Sequence, residues 1–443
     1  MLKHISSRRV FLQRGAALLA MTPTIPTFLD QTVMALVGDA DSHAPAPNKD
    51  GKILVVVQLS GGNDGLNTVV PHGDDAYHRA RGAIAHDPSK VLKISNYVGL
   101  APNLTALKEF YDQGRLAVVQ GVGYPNPNRS HFRSMDIWHS AQPDRETATS
   151  GWLGRYFDNT CTGTDPHAGI SMGETLPLAM KGEKFLPLSF ERPESYRYTG
   201  KDVDGYKKLN DRSPDMFSAA SPSTQPTHDK KIVIPGKKKI EPATHDTQLD
   251  FLHRTAMDAQ VSSDEILRLT RTYQPVGNYP GTEFGNGLRT IAAMIAGKLP
   301  TRVYYVSLGG FDTHANQAPR HAQLMQELNN GLQAFWLDMR KQENEDRVLM
   351  MTFSEFGRRV EVNASSGTDH GAAAPMFLIG GAKGGVKAGL AGRYPSLTDL
   401  DQGDLKYNTD FRSVYATVLQ NWLETPSKPI LGQQFPTLPV VKA

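Results

Sequence analysis

The sequence predicts an α/β protein, a three-layer α/β/α sandwich on a mostly parallel central sheet. Two observations predict it. The runs KILVVVQL (52–59), RLAVVQ (115–120), TRVYYVSL (301–308) and RVLMMTF (347–353) are apolar without alternation, as expected of strands buried on both faces. Segments of helical spacing separate them, and parallel strands need such crossovers.

Taken in order, the chain opens on SSRRVFLQRGAALLAM, in which Arg8 and Arg9 precede Phe11, Leu12 and a short apolar stretch. This resembles a twin-arginine export signal, with Gln13 where the pattern favours lysine. Pro23 and Pro26 interrupt the apolar stretch, so no integral membrane span is expected. Cleavage after Ala35 and after Ala46 both fit. Residues 1–46 are therefore expected to be signal peptide and linker, and 47–443 a single domain reached through the twin-arginine translocase and located in the periplasm or secreted.

The first strand, KILVVVQL, is followed by NLTALKEFYDQG, a helix with Asn103 as N-cap and Gly114 as stop, and then by RLAVVQGVG. SHFRSMDIWHSA reads as a further helix opening at Ser130. From about 160 to 245 the composition shifts to Pro, Ser, Lys and Thr, which predicts an irregular insertion. Helical stretches near 247–273 and 284–298 lead back to TRVYYVSL, the helix HAQLMQELNNGLQAFWLDMRKQ, the strands RVLMMTF and MFLIGG, and a closing helix DFRSVYATVLQNWL. A net charge of +3 argues against a nucleic-acid partner. The single cysteine, Cys161, excludes an internal disulfide and has no second thiol for a zinc or redox pair.

Four polar clusters follow apolar runs: GGNDG with Asp64, GYPNPNRSHF with Ser130 and His131, GGFDTH with Asp312 and His314, and SEFGRR through GTDHG with Glu355, Asp369 and His370. In a parallel sheet these strand ends face one crevice. Carboxylates and imidazoles converging there suit a hard or borderline divalent cation. Read singly, each has a structural explanation: Asp64 as a turn residue, His131 as a capping or packing histidine, Asp369 as a turn cap.

LSGGNDGLNTVVP, GYPNPNRSHF, GGFDTH, SEFGRR, GTDHG and TDFRSVYATVL, in this order, closely resemble the exported proteins of the domain of unknown function 1501 family. That family is similar in fold to the alkaline phosphatase superfamily, which includes sulfatases and cofactor-independent phosphoglycerate mutases. The resemblance implies two divalent metals, usually zinc or manganese, and an alkaline-phosphatase-like sheet. It matches Asp64 to the first-strand ligand, Ser130 to the nucleophile, Asp312 and His314 to one metal site, and His370 to the last metal-binding histidine.

The sequence departs from the superfamily at TFSEFGR, where Glu355 and Phe356 replace an Asp-His pair. One site is then expected to survive with Asp312, His314 and His370, favouring one ion. The remnant Asp64, Ser130 and Glu355 would favour magnesium, calcium, manganese or nothing. A second pairing, with Asp369 and His370 in place of the missing Asp-His, stays open. The implied function is an exported metal-dependent hydrolase of phosphate or sulfate esters, with Ser130 attacking and Arg129, Arg133 or Arg358 steadying the anion of a small ester or polysaccharide substrate. Neither CTGTD nor RSHFR supplies the Cys/Ser-x-Pro-x-Arg context of the usual sulfatase. The competing expectation is a non-catalytic binding or envelope-associated protein that kept the fold with a degenerate site.

Overall fold

The structure, a computed structural model, describes residues 51–160, 166–194, 263–381, 383 and 385–442. The Arg8–Arg9 motif, Cys161 and the stretch 195–262 lie outside the described residues.

Among the described residues, nine strands form the central sheet. They are β1 (Ile53–Ser60), β2 (Leu116–Gly123), β3 (Gly169–Met172), β4 (Leu188–Phe190), β5 (Val303–Gly309), β6 (Val348–Phe353), β7 (Ala374–Gly380), β8 (Gly389–Ala391) and β9 (Thr409–Asp410). Eight follow the spatial order β8-β2-β7-β6-β1-β5-β3-β4, and β9 pairs with β2. Strand β1 is central, parallel to β5 and to β6. Only β7 runs against its neighbours β2 and β6.

The unbroken apolar composition of β1 follows from burial on both faces. Ile53, Val55, Val57 and Leu59 pack with Leu107 and Phe110 of α3 (Thr105–Asp112), and with residues of α6 (Glu283–Ala296) and α7 (Gln317–Lys341). Leu54 and Val56 face the opposite layer, formed by α4 (His131–Ser140), α5 (Trp152–Thr160), α8 (Phe411–Thr417) and α9 (Ser427–Leu431). Two short helices, α1 (Gly65–Thr68) and α2 (Asp75–Arg81), lie beyond the end of β1. The three-layer expectation is met. Among the described residues, no helix is long and apolar enough to cross a membrane.

Two local expectations change. Leu104, not Asn103, is the N-cap of α3, and the Asn103 amide instead donates to Gln326 Oε1. Of the stretch read as insertion, residues 169–172 and 188–190 are the strands β3 and β4, β3 pairing in parallel with β5 and β4 with β3 at the edge of the sheet. Their brevity hid them, since three or four residues carry little periodicity.

The reversal of β7 matters most for the site. The chain leaves β6 at the carboxyl edge of the sheet and re-enters β7 from that same edge, so the loop 354–373 stays over the strand ends. It folds back on itself through Gly371 N–H to Gly357 O (2.8 Å) and Arg359 N–H to Asp369 O (3.0 Å), which sets His370 beside Arg358.

Candidate metal centre at the strand ends

His131 is the first residue of α4, after β2; Asp312 and His314 follow β5; His370 precedes β7. One ligand atom each from His131, Asp312 and His370 lie within 4.8 Å of one another. His314 adjoins them: its Nε2 is 2.9 Å from His370 Nε2 and 3.0 Å from Asp312 Oδ1. His370 Nε2 is 3.1 Å from the same oxygen, and His131 Nε2 is 3.4 Å from Asp312 Oδ2.

Each imidazole is fixed from its far side. His131 Nδ1 lies 2.9 Å from Glu355 Oε1, His314 Nδ1 3.2 Å from Asp369 Oδ1, and His370 Nδ1 2.7 Å from the Arg129 carbonyl oxygen. An ionised carboxylate or a carbonyl can only accept, so Nδ1 carries the hydrogen in all three rings. The Nε2 lone pairs of His314 and His370 then face each other and Asp312 Oδ1, and that of His131 is left beside Asp312 Oδ2. Nε2 atoms at 2.9 Å repel unless a positive charge lies between them. Among the described residues, His131 Nε2 is shielded from solvent and has no hydrogen-bond partner. Ligand atoms around a tetrahedral zinc stand roughly 3.3 Å apart, from its usual bond lengths. The residues present therefore fit a divalent ion.

Asp312 remains ionised. Burial works to raise its pKa, but the hydrogen bond and charge of Arg358, with the neighbouring imidazoles, bring it down to about 2. Burial lowers the pKa of His370, which favours the neutral ring, against the raising influence of the adjacent Arg129 carbonyl and Asp312 carboxylate.

Phe356 forms the floor. Its ring centroid lies 4.9 Å from that of His131 and 4.5 Å from that of His370. Gly62, at φ +79°, makes room for it, because a Cβ there would come within 2.2 Å of Phe356 Cε2. Gly61 has φ +116° and gives its N–H to Glu355 Oε1 at 2.8 Å. The paired glycines of LSGGNDG thus serve backbone approach to the site.

The structure does not bring Asp64 to the cluster. Asp64 is fully buried as the N-cap of α1, accepting from Leu66 N–H (3.1 Å) and Asn67 N–H (3.3 Å). Its two oxygens also take both terminal nitrogens of Arg81, and Oδ2 takes the Gln317 amide. Burial pushes its pKa up, but Arg81, then His321 and Gln317, hold it at about 2. A guanidinium stands where the resemblance implied a metal. Glu355 is wholly buried and placed behind His131, and Asp369 lies behind His314.

The arginines separate too. Arg358 is buried and donates to the carbonyl oxygens of Gly62, Thr368, Gly61 and Phe311 and to Asp312 Oδ1 (2.8 Å), so it clamps the loops rather than facing solvent. Arg133 donates to the Pro143 and Glu146 carbonyl oxygens. Arg129 pairs with Asp404 at 2.6 Å, with 39% of its side chain exposed. Ser130 is exposed at the N-cap of α4, and its hydroxyl makes no capping bond. His131 is the member for which the sequence weighs a capping or packing role equally with a functional one. The available signal was its position, beside Ser130 and just after a buried strand.

Fold and cluster together define an α/β/α sandwich with a candidate metal centre at the carboxyl edge of its sheet. The chain belongs to the family described as Protein of unknown function (DUF1501), whose model matches residues 51–424. No curated protein matches it in sequence. Among solved structures it is similar to a protein of the alkaline phosphatase superfamily from Vibrio parahaemolyticus, with 11% identity over 92% of this chain and 77% of that one and a TM-score of 0.34. It is also similar to a sulfatase from Pseudoalteromonas sp. (9% identity, 93% and 72% covered, TM-score 0.35). A third is the alkaline phosphatase of the Antarctic bacterium TAB5 (10% identity, 79% and 95% covered, TM-score 0.29). The assignment of site residues rests on their own geometry.

Proposed function

We propose that the protein is a metal-dependent hydrolase of phosphate or sulfate esters. One observation carries this reading: the convergence of His131, Asp312 and His370, with His314 adjoining, each imidazole fixed through Nδ1. His131, Asp312 and His370 would hold one divalent ion, zinc or manganese, with His314 as the adjoining donor. When bound, such an ion polarises an ester oxygen as a Lewis acid.

Ser130 is the nucleophile in this reading. It sits at the N-terminus of a ten-residue helix, whose dipole favours a developing alkoxide. Arg129 is the arginine proposed to steady the substrate anion, being only half-buried and supplying the carbonyl that orients His370. The open rims of Asp312 and His314, 47% and 45% exposed, leave the ester a way in.

The test is hydrolysis of 4-nitrophenyl phosphate and 4-nitrophenyl sulfate by zinc- and manganese-loaded protein. Ser130→Ala is expected to lose turnover by several orders of magnitude while retaining its metal. Equal turnover by wild type and Ser130→Ala would remove the serine from the reaction. Metal retention with no hydrolysis of either ester would favour the non-catalytic binding protein.

Export belongs to the same proposal. Replacing Arg8 and Arg9 by lysine is expected to leave folded protein in the cytoplasm, because only the translocation address changes. Fractionation that still finds the variant in the periplasm would contradict twin-arginine export.

A further inference from the structure

Glu355 takes the place where the resemblance implied a metal ligand, yet its surroundings leave it no such role. It is wholly buried. Oε1 already accepts Gly61 N–H (2.8 Å) and lies 2.9 Å from His131 Nδ1, while Oε2 faces Ser354 Oγ at 3.4 Å. Its contact with the cluster thus runs through His131 Nδ1, the ring nitrogen opposite the metal-facing one. His131 in turn turns its solvent-shielded, unpartnered Nε2 toward the Asp312 carboxylate. Phe356 lies against one face of the same ring.

We infer that Glu355 is a positioning residue, which holds His131 in the Nδ1–H tautomer so that Nε2 is presented to the metal position. This rests on the metal reading above and deepens it. A free imidazole exchanges its hydrogen between two nitrogens and rotates about two side-chain torsions. The carboxylate removes the first freedom, and Phe356 with the helix start restricts the second. Carboxylate partners of this kind raise ligand basicity, and their loss lowers metal affinity by about 10–100-fold. Ser354 helps the carboxylate keep its place: its hydroxyl donates to Leu59 O at 2.6 Å and accepts Asn63 N–H at 2.8 Å, tying the end of β6 to the end of β1.

The experiment has two readouts. Long-range proton–nitrogen correlation spectra of histidine-labelled, metal-free protein at alkaline pH report the tautomer of each imidazole. Wild type is expected to show His131 as Nδ1–H. Glu355→Ala is expected to release it to the Nε2–H form, with His314 and His370 unchanged. Glu355→Gln, which keeps an acceptor oxygen and loses the charge, should preserve the tautomer.

Zinc affinity by competition with a chromogenic chelator is then expected to fall in the order wild type, Gln, Ala, with the Ala variant about 10–100-fold weaker. An Nε2–H ring in wild type, or an Ala variant with unchanged tautomer and affinity, would overturn the inference. Should the Ala variant not fold, the wild-type tautomer and the Gln affinity still decide. Wild type with the expected tautomer but no zinc binding would sink the metal reading while leaving the orientation of His131 as described.

Discussion

Asp64→Asn is expected to destabilise the protein by about 3–5 kcal/mol, because it leaves the Arg81 guanidinium buried without its counter-charge. Arg81→Met should cost a similar amount for the converse reason. Both side chains are wholly inaccessible to solvent, so water cannot substitute for the missing partner. The double variant Asp64→Leu/Arg81→Met should recover part of the loss, since no unpaired charge remains. Urea titration measures all three.

The pH dependence has a definite sign. The folded-state pKa of Asp64, about 2, lies below its ordinary 3.8. Its contribution is therefore complete above about pH 4 and lost as pH falls toward 2. Wild type should lose stability through that window, and Asp64→Asn should lack that part of the acid transition. Folded Asp64→Asn should retain wild-type metal content, whereas a ligand role for Asp64 predicts that the ion is lost.

The second large effect concerns the cluster itself. A divalent ion at 100 times its dissociation constant should raise wild-type stability by about 2.7 kcal/mol, through binding to the native state alone. His370→Ala and Asp312→Ala should lose most of that increment, because each removes a member of the three-residue group. Arg133→Ala, whose guanidinium bonds only to loop carbonyls, should keep it. Thermal melts with and without zinc distinguish these outcomes. An undiminished zinc effect in both ligand variants would place the ion elsewhere.

The sheet was legible because burial on both faces writes itself as unbroken apolar runs, clearest in β1, β5 and β6. That the polar clusters share one edge followed from the same logic, whereas the grouping of Asp312, His314 and His370 was what the family resemblance implied. What sequence could not show was which polar atoms are already occupied. Asp64 looked like a ligand because Arg81, seventeen residues on, reaches it only through the packing of α2 on α1. Glu355 looked like one because its engagement by Gly61 and His131 spans 294 and 224 residues of chain. Arg358 looked like an anion-holding group, yet the loop carbonyls consume its donors. His131 stayed undecided because a histidine at a helix start has an ordinary capping or packing explanation.

Metal analysis of wild-type protein, equilibrated with zinc and freed of loosely bound ions, tests the central claim most directly. With Asp64 neutralised by Arg81 and Glu355 turned to His131, the described residues supply donors for a single centre. The expected result is about one ion per chain. No retained ion, or two tightly held ions, would contradict it.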